Sequence, residues 1–550
     1  MRAISLLLFL IMLSSSAYAQ QSFDFVVYGG TAGGVMAAVA GARQGLKTVL
    51  LESRRHVGGM ATGGLSRTDT GAREVIGGLP LEFYYRVGNR YDMRRFKNPV
   101  AWFYEPKVGE AVMLDMLKEA GVTVLFDHRL QEKTGVIRER SRVTEIVMQN
   151  GARFSGRIFA DCSYEGDLMA QAGVSYTWGR EGISQYGESL AGVREKTPYH
   201  QFLFDVPGRD QNGTLLPEIS PGPTGRPGQA DKKVQAYNFR IIATNSAANR
   251  LPWPRPGNYD AGRYELMARY LDAFVKGHGR APVFHELTLI APVPGGKADF
   301  NNNGPFSTDY IGKNYDYADG SYARRDAIWK EHVDYVQGFY YFLANDPRVP
   351  KSLQDEVNQW GLPRDEFTDT EHWPHQLYVR EARRMVGDFV VAQKDLQTEL
   401  TKPDVIGMGS YNSDSHNIQR IVNDRGMVEN EGDMQVPVKP YQIPYRVMLP
   451  KRTEMENLLV PVCFSASHVA YSSLRMEPQY MIMGHAAGVA ASMAIRDGKS
   501  LQDISVKELQ GILKSQAAVF EYVRTPQADA LEIIHRKMAP PEPARFNWEY

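Results

Sequence analysis

The chain has few cysteines and no excess of charge of either sign. Its 550 residues include two cysteines, Cys162 and Cys463, and 63 basic residues match 63 acidic ones. The cysteines could pair in an oxidising compartment, but each lies in an apolar run, which favours two buried thiols. The zero net charge provides no basic excess for nucleic acid, and no block of like charges suggests an interaction tail.

Internal repeats and metal-ligand spacing are also missing from the sequence. His372 and His375 stand on either side of Trp373-Pro374, and we do not expect them to share one face of a helix. This arrangement is not typical of a zinc site. We therefore predict that the protein holds no metal.

The hydrophobic run at the N-terminus is short. Arg2 supplies a positive end, Leu6 to Leu13 an apolar stretch, and Ala17-Tyr18-Ala19 a small-residue cleavage site, which are the parts of a secretory signal peptide. The run is too short to span a bilayer well, so we expect no stable membrane insertion. We predict that residues 1–19 are removed by cleavage after Ala19 and that the mature protein is periplasmic or secreted.

The sequence does contain a strand–turn–helix–strand unit. Phe23 to Tyr28 and Thr48 to Leu51 are short apolar runs that suit buried parallel strands. The glycine-rich turn Gly29–Gly34 follows the first run, and the small apolar residues Val35 to Ala42 predict a helix that Gly45 ends. The unit therefore predicts the beginning of an α/β sheet.

The same unit has the pattern of a dinucleotide-binding site. Its turn leaves backbone N–H groups free at a helix N-terminus, where the positive end of the helix dipole meets a pyrophosphate. Glu52 stands 23 residues after Gly29, at the end of the second strand. Its carboxylate is placed to accept hydrogen bonds from ribose hydroxyls, and its charge disfavours the 2′-phosphate of NADP.

The turn departs from the strict glycine fingerprint. Aligned on Gly29 and Gly34, it reads G-x-T-x-x-G, with Thr31 at the middle position. A short threonine still allows a ligand to approach closely and adds a hydroxyl group for a phosphate oxygen. We expect cofactor contacts from Gly29, Gly30, Thr31, Gly33 and Gly34.

A second glycine-rich stretch follows Glu52 directly. The segment His56 to Gly64 reads HVGGMATGG, which is too rich in glycine for the interior of a helix or strand. It could be a flexible loop, or a backbone pressed against a flat ligand, which glycine permits. Its position after the nucleotide-binding unit favours the second interpretation, with Gly58, Gly59 and Met60 as contacts.

The change in composition and in predicted elements along the chain predicts a discontinuous first domain. Residues 22–190 and 441–500 would form a cofactor domain, 191–440 an inserted substrate or cap domain, and 501–550 a C-terminal helical extension. The other elements that we predict are the helices Val108–Ala120, Tyr322–Ala344, Gln376–Gln393 and Glu477–Ile495, the strands Val122–Phe126, Lys233–Thr244 and Leu458–Phe464, and a hairpin of Val143–Met148 with Arg153–Ala160.

Several longer segments resemble one known family. They are YGGTAGGVMAAVAGARQGLKTVLLE, HVGGMATGGLSRTD, DCSYEGDLMAQAGVSYTWGRE, KADFNNNGPFSTDYIG, HWPHQLYVREARRMVGD, GSYNSDSHNIQR and SASHVAYSSLRMEPQYMIMGHAAGVAA. Together they resemble the FAD-dependent oxidoreductases that are common among exported bacterial proteins, some of which carry a xanthan lyase label. The resemblance covers nearly all of residues 24–500.

The resemblance implies a fold and a cofactor. The fold would be α/β, with a Rossmann-like FAD-binding domain of the glutathione-reductase type and an inserted α+β substrate or cap domain. The cofactor would be FAD, which we expect to be held non-covalently, with Asp161 and Ser467 as further contacts. Related flavoproteins often carry an A-T-G motif before an acidic residue at the third site, and Asp161-Cys162-Ser163 departs from it.

Flavin-dependent oxidation needs a proton acceptor and a positive group near the ring. His468 follows the predicted strand Leu458–Phe464, and Arg475 precedes the helix that begins near Glu477. We predict catalytic roles for both, although His468 could be a structural histidine and Arg475 an ion-pair partner of Glu477. His416 is the competing base.

Candidate substrate contacts come from a cationic segment. On the predicted helix Gln376–Gln393, Arg380 and Arg384 would share one face. With Asp414, these residues could bind an anionic or polyhydroxylated substrate. They could also form a salt-bridge network with Glu381, and the sequence leaves both alternatives open.

These observations predict an exported flavoenzyme. It would oxidise a CH–OH or related carbon of a small, carbohydrate-like molecule by hydride transfer to flavin N5. The alternatives are a polysaccharide or sugar lyase or hydratase that uses FAD transiently or structurally, and a non-catalytic glycan-binding protein. The expected partners are a small-molecule or glycan substrate and an electron acceptor that the sequence does not name.

Overall fold

The computed structural model describes residues 21–91 and 100–523. The predicted signal peptide and residues 524–550 of the predicted C-terminal extension lie outside the described residues. The strands are β1 (Gln21–Tyr28), β2 (Thr48–Leu51), β3 (Thr123–Leu125), β4 (Val136–Glu139), β5 (Arg142–Val147), β6 (Arg153–Asp161), β7 (Tyr176–Thr177), β8 (Ile241–Thr244), β9 (Arg250–Leu251), β10 (Thr288–Val293), β11 (Lys297–Asn302), β12 (Leu362–Pro363), β13 (Arg384–Met385), β14 (Val405–Gly409), β15 (Ser413–Ser415), β16 (Gln419–Val422), β17 (Val428–Glu431), β18 (Met434–Val436), β19 (Tyr441–Pro444) and β20 (Leu458–Leu459).

The helices lie between and after these strands along the chain. They are α1 (Ala32–Arg43), α2 (Gly78–Arg90), α3 (Pro106–Ala120), α4 (Asp167–Gln171), α5 (Ile183–Tyr186), α6 (Glu265–His278), α7 (Tyr322–Asn345), α8 (Lys351–Val357), α9 (Gln393–Gln397), α10 (His468–Leu474), α11 (Glu477–Asp497) and α12 (Val506–Ser515).

The largest sheet has seven strands in the order β3-β2-β1-β6-β5-β4, with β20 also paired to β6. The pairs β3–β2, β2–β1, β1–β6 and β6–β20 are parallel, whereas β6–β5 and β5–β4 are antiparallel. This sheet confirms the predicted strand–turn–helix–strand unit and the predicted hairpin. Its first strands are apolar on both faces because both faces are covered, with Val27 in one core cluster and Val26 in another.

Small residues allow α11 to lie directly against α1. A Cβ on Gly484 would lie 2.0 Å from the carbonyl oxygen of Gly33, and one on Gly488 would lie 2.4 Å from that of Ala37. The helix begins at Glu477, as the sequence predicts. The contact places the first turn of α11 beside the glycine-rich turn, because a Cβ on Gly33 would lie 2.9 Å from the carbonyl oxygen of Tyr480.

The middle of the chain forms smaller sheets. One has the order β10-β11-β8, and the others in the described part of the chain are two-stranded. The predicted helix Tyr322–Ala344 is confirmed as α7, but the predicted strand Lys233–Thr244 is reduced to β8. The chain returns to the large sheet at β20, which is shorter than the predicted Leu458–Phe464 because Val460 donates its N–H to Met448 rather than to a strand.

The prediction of a helix over Gln376–Gln393 is wrong. This segment is extended, and its regular structure is limited to β13, which pairs with β7. Arg380 and Arg384 therefore do not share a helix face. Both guanidinium groups are instead buried in ion pairs with distant carboxylates. The i,i+4 spacing of these two arginines therefore does not indicate a helix here.

Both cysteines are free and buried. The prediction of two buried thiols is thus confirmed. Across residues 21–91 and 100–523, none of the helices combines the length and the hydrophobicity needed to cross a bilayer.

Candidate cofactor and substrate site

The glycine-rich turn is closed by contacts that leave no room for side chains. Gly29 has a φ of +99°, and a Cβ there would lie 2.5 Å from the backbone nitrogen of Ser163. A Cβ on Gly34 would lie 2.0 Å from the carbonyl oxygen of Gly29. Both glycines are therefore required for the turn that starts α1 beside the end of β6.

Thr31 acts as the N-cap residue of α1. Its Oγ1 accepts a hydrogen bond from the Gly34 N–H at 3.1 Å and donates one to the Cys162 carbonyl oxygen at 2.8 Å. This explains why a threonine can stand at the middle fingerprint position. The hydroxyl proton is engaged within the protein, so the expected contact with a phosphate oxygen would require that bond to break.

The carboxylate of Glu52 organises the end of β2. Its Oε2 accepts from the Gly30 N–H at 2.7 Å, and its Oε1 accepts from the Arg54 N–H at 2.7 Å and from the Ser53 hydroxyl at 3.1 Å. Burial raises the pKa of this carboxyl, and the two backbone hydrogen bonds oppose that rise. Glu52 lines the cavity described below, and its contact with a ribose stays a prediction.

The second glycine-rich stretch packs mainly against protein. A Cβ on Gly59 would lie 2.3 Å from the Tyr164 hydroxyl, and one on Gly63 would lie 2.4 Å from Cβ of Gln376. The Met60 N–H donates to the Tyr164 hydroxyl at 2.9 Å. Of the three predicted contacts in this stretch, Gly59 borders the cavity, while Gly58 and Met60 shape the turn behind it.

A cavity of about 400 Å³ opens at the carboxyl ends of β1, β2 and β6. The carboxyl ends of parallel strands are the usual ligand side of such a sheet. The residues that line it are Tyr28, Gly29, Thr31, Glu52, Ser53, Arg54, His56, Gly59, Arg129, Ser163, Tyr164, Glu165, Asp167, Tyr317, Arg325, Asp326, Trp329, His375 and Gln376. The cavity thus begins at the predicted dinucleotide turn and is closed by α7 and by the loop before β13.

Three predicted cofactor contacts have structural partners instead and do not line this cavity. The Asp161 carboxylate accepts from the Ser163 N–H and hydroxyl at 3.1 and 2.7 Å and from the Met169 N–H at 2.8 Å, and burial raises its pKa to about 6. Ser467 caps α10 and donates to Glu188 at 2.5 Å. Gly33 is needed for the contact between α1 and α11. Their contacts with FAD stay predictions.

The first turn of α11 holds buried polar groups that lack partners among the described residues. They are Oε2 of Glu477 and both amide atoms of Gln479. The Tyr164 hydroxyl donates to the other Glu477 oxygen at 2.6 Å, and burial raises the pKa of this carboxyl to about 8. Because buried polar groups are normally hydrogen-bonded, such a set beside the dinucleotide turn fits a polar ring system such as that of FAD.

Arg475 belongs to a polar cluster that unites four of the predicted site residues. It donates to the Tyr378 hydroxyl at 3.0 Å and to the Asp414 carbonyl oxygen at 2.8 Å. The Asp414 carboxylate lies 3.9 Å from Nε2 of His416. Asp309 then joins His416 to Arg380, as described next. We call Arg475, Asp414, His416, Asp309 and Arg380 the His416 cluster.

Within the His416 cluster, Asp309 bonds to both His416 and Arg380. One of its oxygens lies 2.7 Å from Nδ1 of His416, and the other accepts from Arg380 at 2.9 Å. Burial opposes the charge on Asp309, but Arg380 and His416 keep the pKa of its carboxyl below the ordinary range. Asp309 is thus a stable anion that orients the imidazole, a role that the sequence did not indicate.

His468 and Arg384 belong to a separate buried network. Nδ1 of His468 lies 2.8 Å from Glu381, and Arg384 bonds to both Glu381 and Glu181. Burial opposes the charge on Glu381, but His468 and Arg384 lower the pKa of its carboxyl to about 2. For Arg384 this is the salt-bridge alternative that the sequence left open. The side chain of Gln235 connects this network to the backbone of His416.

One group of three carboxylates in the described residues has the spacing of a metal site. It consists of Glu105, Asp365 and Glu366. Nζ of Lys297 lies 2.6, 2.8 and 2.6 Å from these three carboxylates. The ammonium group therefore supplies the positive charge that this group of carboxylates requires.

Sequence reasoning missed much of the cavity wall. Tyr164 lies just after β6, whereas Arg325 and Trp329 come from α7 and His375 from the loop before β13. Arg54 lies two residues after Glu52, and this proximity could have indicated it. Its guanidinium group lies over the Trp329 ring at 3.7 Å. The residues from the middle of the chain gave no local signal, because only folding brings them to the turn.

Comparisons with known proteins support the cofactor. The chain matches the model of the FAD dependent oxidoreductase family over residues 24–513. Among curated proteins, no match was found.

Several solved structures of enzymes show partial similarity. They include OxyS anhydrotetracycline hydroxylase from Streptomyces rimosus (16% identity, 35% of this chain and 38% of that one, TM-score 0.23). A second is p-nitrophenol 4-monooxygenase PnpA from Pseudomonas putida DLL-E4 (16% identity, 30% of this chain and 47% of that one, TM-score 0.21). A third is the myxobacterial chondrochloren halogenase CndH (16% identity, 29% of this chain and 41% of that one, TM-score 0.23). The chain spans less than half the length of each of these three, and such limited similarity carries no argument about substrate.

The family match covers nearly the whole described chain, and the α/β sheet, the dinucleotide turn and the cavity agree with it. The chain belongs to the FAD-dependent oxidoreductase family, and it is an enzyme with FAD as its cofactor.

Proposed function

We propose that the protein oxidises a CH–OH or related carbon of a small, carbohydrate-like substrate. The observation that carries this proposal is the His416 cluster, which begins at Arg475, just before the first turn of α11. The unpartnered polar groups of that turn suit the flavin ring. A base and several hydrogen-bonding groups would then lie on the substrate side of the ring.

His416 has the features of a general base. Its Nδ1 is bound to Asp309, an arrangement in which the imidazole keeps its proton on Nδ1 and leaves the lone pair on Nε2. Nε2 lies 3.9 Å from the nearest Asp414 oxygen, which is beyond hydrogen-bond distance. The side chain is 11% exposed, so a ligand can reach it. His468 is the alternative base, and its Nδ1 also lies against a carboxylate, but its side chain is only 5% exposed and belongs to the buried Glu381 network.

The composition of the cluster favours a polyhydroxylated substrate. Sugar hydroxyls both donate and accept hydrogen bonds, and the cluster offers the Asp414 carboxylate as acceptor and the guanidinium groups of Arg475 and Arg380 as donors. Nε of Arg475 and Nε of Arg380 have no partner among the residues that the structure describes. These groups would orient the substrate and hold the reacting carbon in place.

The proposed reaction is a two-electron oxidation. When bound, FAD would accept the hydride that leaves the carbon as its C–H bond breaks. The hydroxyl proton of the substrate passes to Nε2 of His416, and the carbon that carries the hydroxyl becomes a carbonyl carbon. Arg475 provides positive charge beside the site, and Asp309 stabilises the imidazolium that forms.

An anaerobic substrate screen tests this function. Sugars, sugar acids and polyols are added to the purified holoenzyme, and the flavin absorbance near about 450 nm is followed. We expect bleaching by at least one such compound, with one carbonyl product formed per flavin reduced. Turnover without bleaching and without an electron acceptor would instead indicate the lyase or hydratase. Glycan binding without any spectral change would indicate the non-catalytic alternative.

We also propose that the protein is exported and acts in the periplasm or outside the cell. The proposal rests on the tripartite pattern of residues 1–19. N-terminal sequencing of the protein purified from its native cells tests it, and we expect the mature chain to begin at Gln20. An intact Met1 in the purified protein would contradict export by this route.

A further inference from the structure

We propose that His375 binds the pyrophosphate of FAD and takes up a proton when the cofactor binds. His375 lies in the loop before β13, far in sequence from the dinucleotide turn. The proposal depends on FAD occupying the cavity and is independent of the substrate and of His416. The two proposals can therefore fail separately.

The position of His375 is the first argument. It lines the same cavity as Gly29 and Thr31, and it is 8% exposed. Its ring stacks on that of His56, with centroids 4.0 Å apart and an interplanar angle of 6°. Neither of its ring nitrogens has a hydrogen-bond partner in the described part of the chain. Buried polar atoms without partners are uncommon, and they point to a missing ligand.

The neighbouring histidine is different. Nδ1 of His56 lies 3.0 Å from Glu110, and its Nε2 lies 3.1 Å from Asp369. Burial lowers the pKa of His56, but the two carboxylates outweigh it and raise the pKa above its ordinary value. Both ring nitrogens of His56 therefore face carboxylates, although Nε2 forms no hydrogen bond among the described residues. Because a carboxylate repels a phosphate, His375 is the better placed of the two stacked rings to bind one.

The charges around the cavity are the second argument. Four carboxylates and three guanidinium groups line it. Arg325 is paired with Asp167 at 2.7 Å, and Arg129 with Asp326 at 3.1 Å. A pyrophosphate brings two further negative charges into a space where most positive groups are already paired. A proton on His375 would offset part of that charge inside the cavity.

The surroundings of His375 determine the direction of the pH effect. Without a phosphate, burial, His56 and Arg54 lower the pKa of His375 well below its ordinary value, so the ring is neutral near pH 7. An adjacent phosphate raises the pKa in the complex. The other titratable and charged groups around the cavity are Tyr28 at the end of β1, Glu52 after β2, Glu110 on α3, Arg129 between β3 and β4, Tyr164, Glu165 and Asp167 after β6, Tyr317 before α7, Arg325 and Asp326 on α7, and Asp369 on the loop of His375.

The linkage then has a definite sign. Because the pKa of His375 is higher in the complex, its contribution to affinity is complete below the pKa of the free protein. That contribution is lost as the pH rises through the pKa of the complex. FAD should therefore bind less tightly as the pH rises, and binding should take up protons.

Arg54 is the rival partner for the pyrophosphate. Its guanidinium group lies over the Trp329 ring at the same cavity and stays protonated throughout the neutral range. If Arg54 alone meets the phosphate charge, FAD binding takes up no proton. Proton uptake therefore separates the two residues.

Titration calorimetry on the full-length protein, stripped of FAD and then reloaded, measures both quantities. Binding is measured between about pH 6 and pH 8, in pairs of buffers that differ in ionisation enthalpy. We expect proton uptake and a dissociation constant that rises by up to about tenfold per pH unit. In His375→Asn, both the uptake and the pH dependence should disappear, with weaker binding at low pH.

His372→Asn is the matched control. His372 lies three residues away on the same loop, its Nδ1 lies 3.1 Å from the Glu366 carbonyl oxygen, and it does not line the cavity. We expect this variant to keep the proton uptake of the unmodified protein. Absence of proton uptake in the unmodified protein would overturn the proposal, even if His375→Asn does not fold. An unchanged pH dependence in a folded His375→Asn protein would overturn it as well.

Discussion

Replacement of Gly34 by valine is expected to give a protein that contains no FAD. A Cβ at this position would lie 2.0 Å from the Gly29 carbonyl oxygen and 3.1 Å from Cβ of Cys162. Because one of these atoms belongs to the backbone, the turn must open to admit any side chain. The N–H groups at the start of α1 would then no longer converge on a pyrophosphate. Flavin absorbance per protein chain measures the effect, and far-UV circular dichroism shows whether the rest of the fold remains.

Gly511→Ala is the control for this experiment. Gly511 lies in α12, and a Cβ there would meet nothing within 4 Å. We expect this variant to keep its FAD and to gain stability by up to about 1 kcal/mol, because alanine favours helices more than glycine does. Stoichiometric FAD in Gly34→Val would mean that the cofactor does not use this turn.

Replacement of His416 by alanine is expected to slow substrate-driven flavin reduction by roughly 10²- to 10⁴-fold. The loss follows from removing the proton acceptor while FAD and its turn stay in place. FAD content should not change, because His416 does not line the cavity at the dinucleotide turn. Stopped-flow reduction with the substrate found in the screen measures the rate, and photoreduction shows that the flavin itself is intact.

His468→Ala distinguishes the two candidate bases. It removes one partner of the buried Glu381 carboxylate, which keeps its bond to Arg384. We expect a loss of stability of about 1–3 kcal/mol, with the reduction rate of the folded protein within about tenfold of the original. If His468→Ala instead stops reduction while His416→Ala does not, His468 is the base and His416 has a structural role.

Local patterns determined the parts of the fold that depend on neighbouring residues. The strand–turn–helix–strand unit follows from two apolar runs and the turn Gly29–Gly34, and each of its elements is confirmed. The helix α11 follows in the same way from its small residues, which allow it to pack against α1. Such features are readable because the signal and the structure occupy the same stretch of chain.

Those local patterns did not predict which charged side chains are buried. The segment Gln376–Gln393 contains helix-spaced charges, but Arg380 pairs with Asp309 and Arg384 with Glu181, residues far away in the chain. Whether a guanidinium group faces water or a buried carboxylate is decided by which distant segments meet. The spacing of side chains along one segment does not contain that information.

The candidate functional site likewise has some features that local sequence predicts and others that only the tertiary structure decides. The sequence alone determined the dinucleotide turn and the place of Glu52 at the end of β2, because these require only one continuous unit and its glycines. Only the tertiary structure decided that His416 is oriented by Asp309 and that His375 lines the same cavity as the dinucleotide turn. Each of these arrangements depends on residues that folding brings together from separate strands and loops. The physical reason is that hydrogen bonds and ion pairs act over a few ångströms of space, whatever the separation of the residues along the chain.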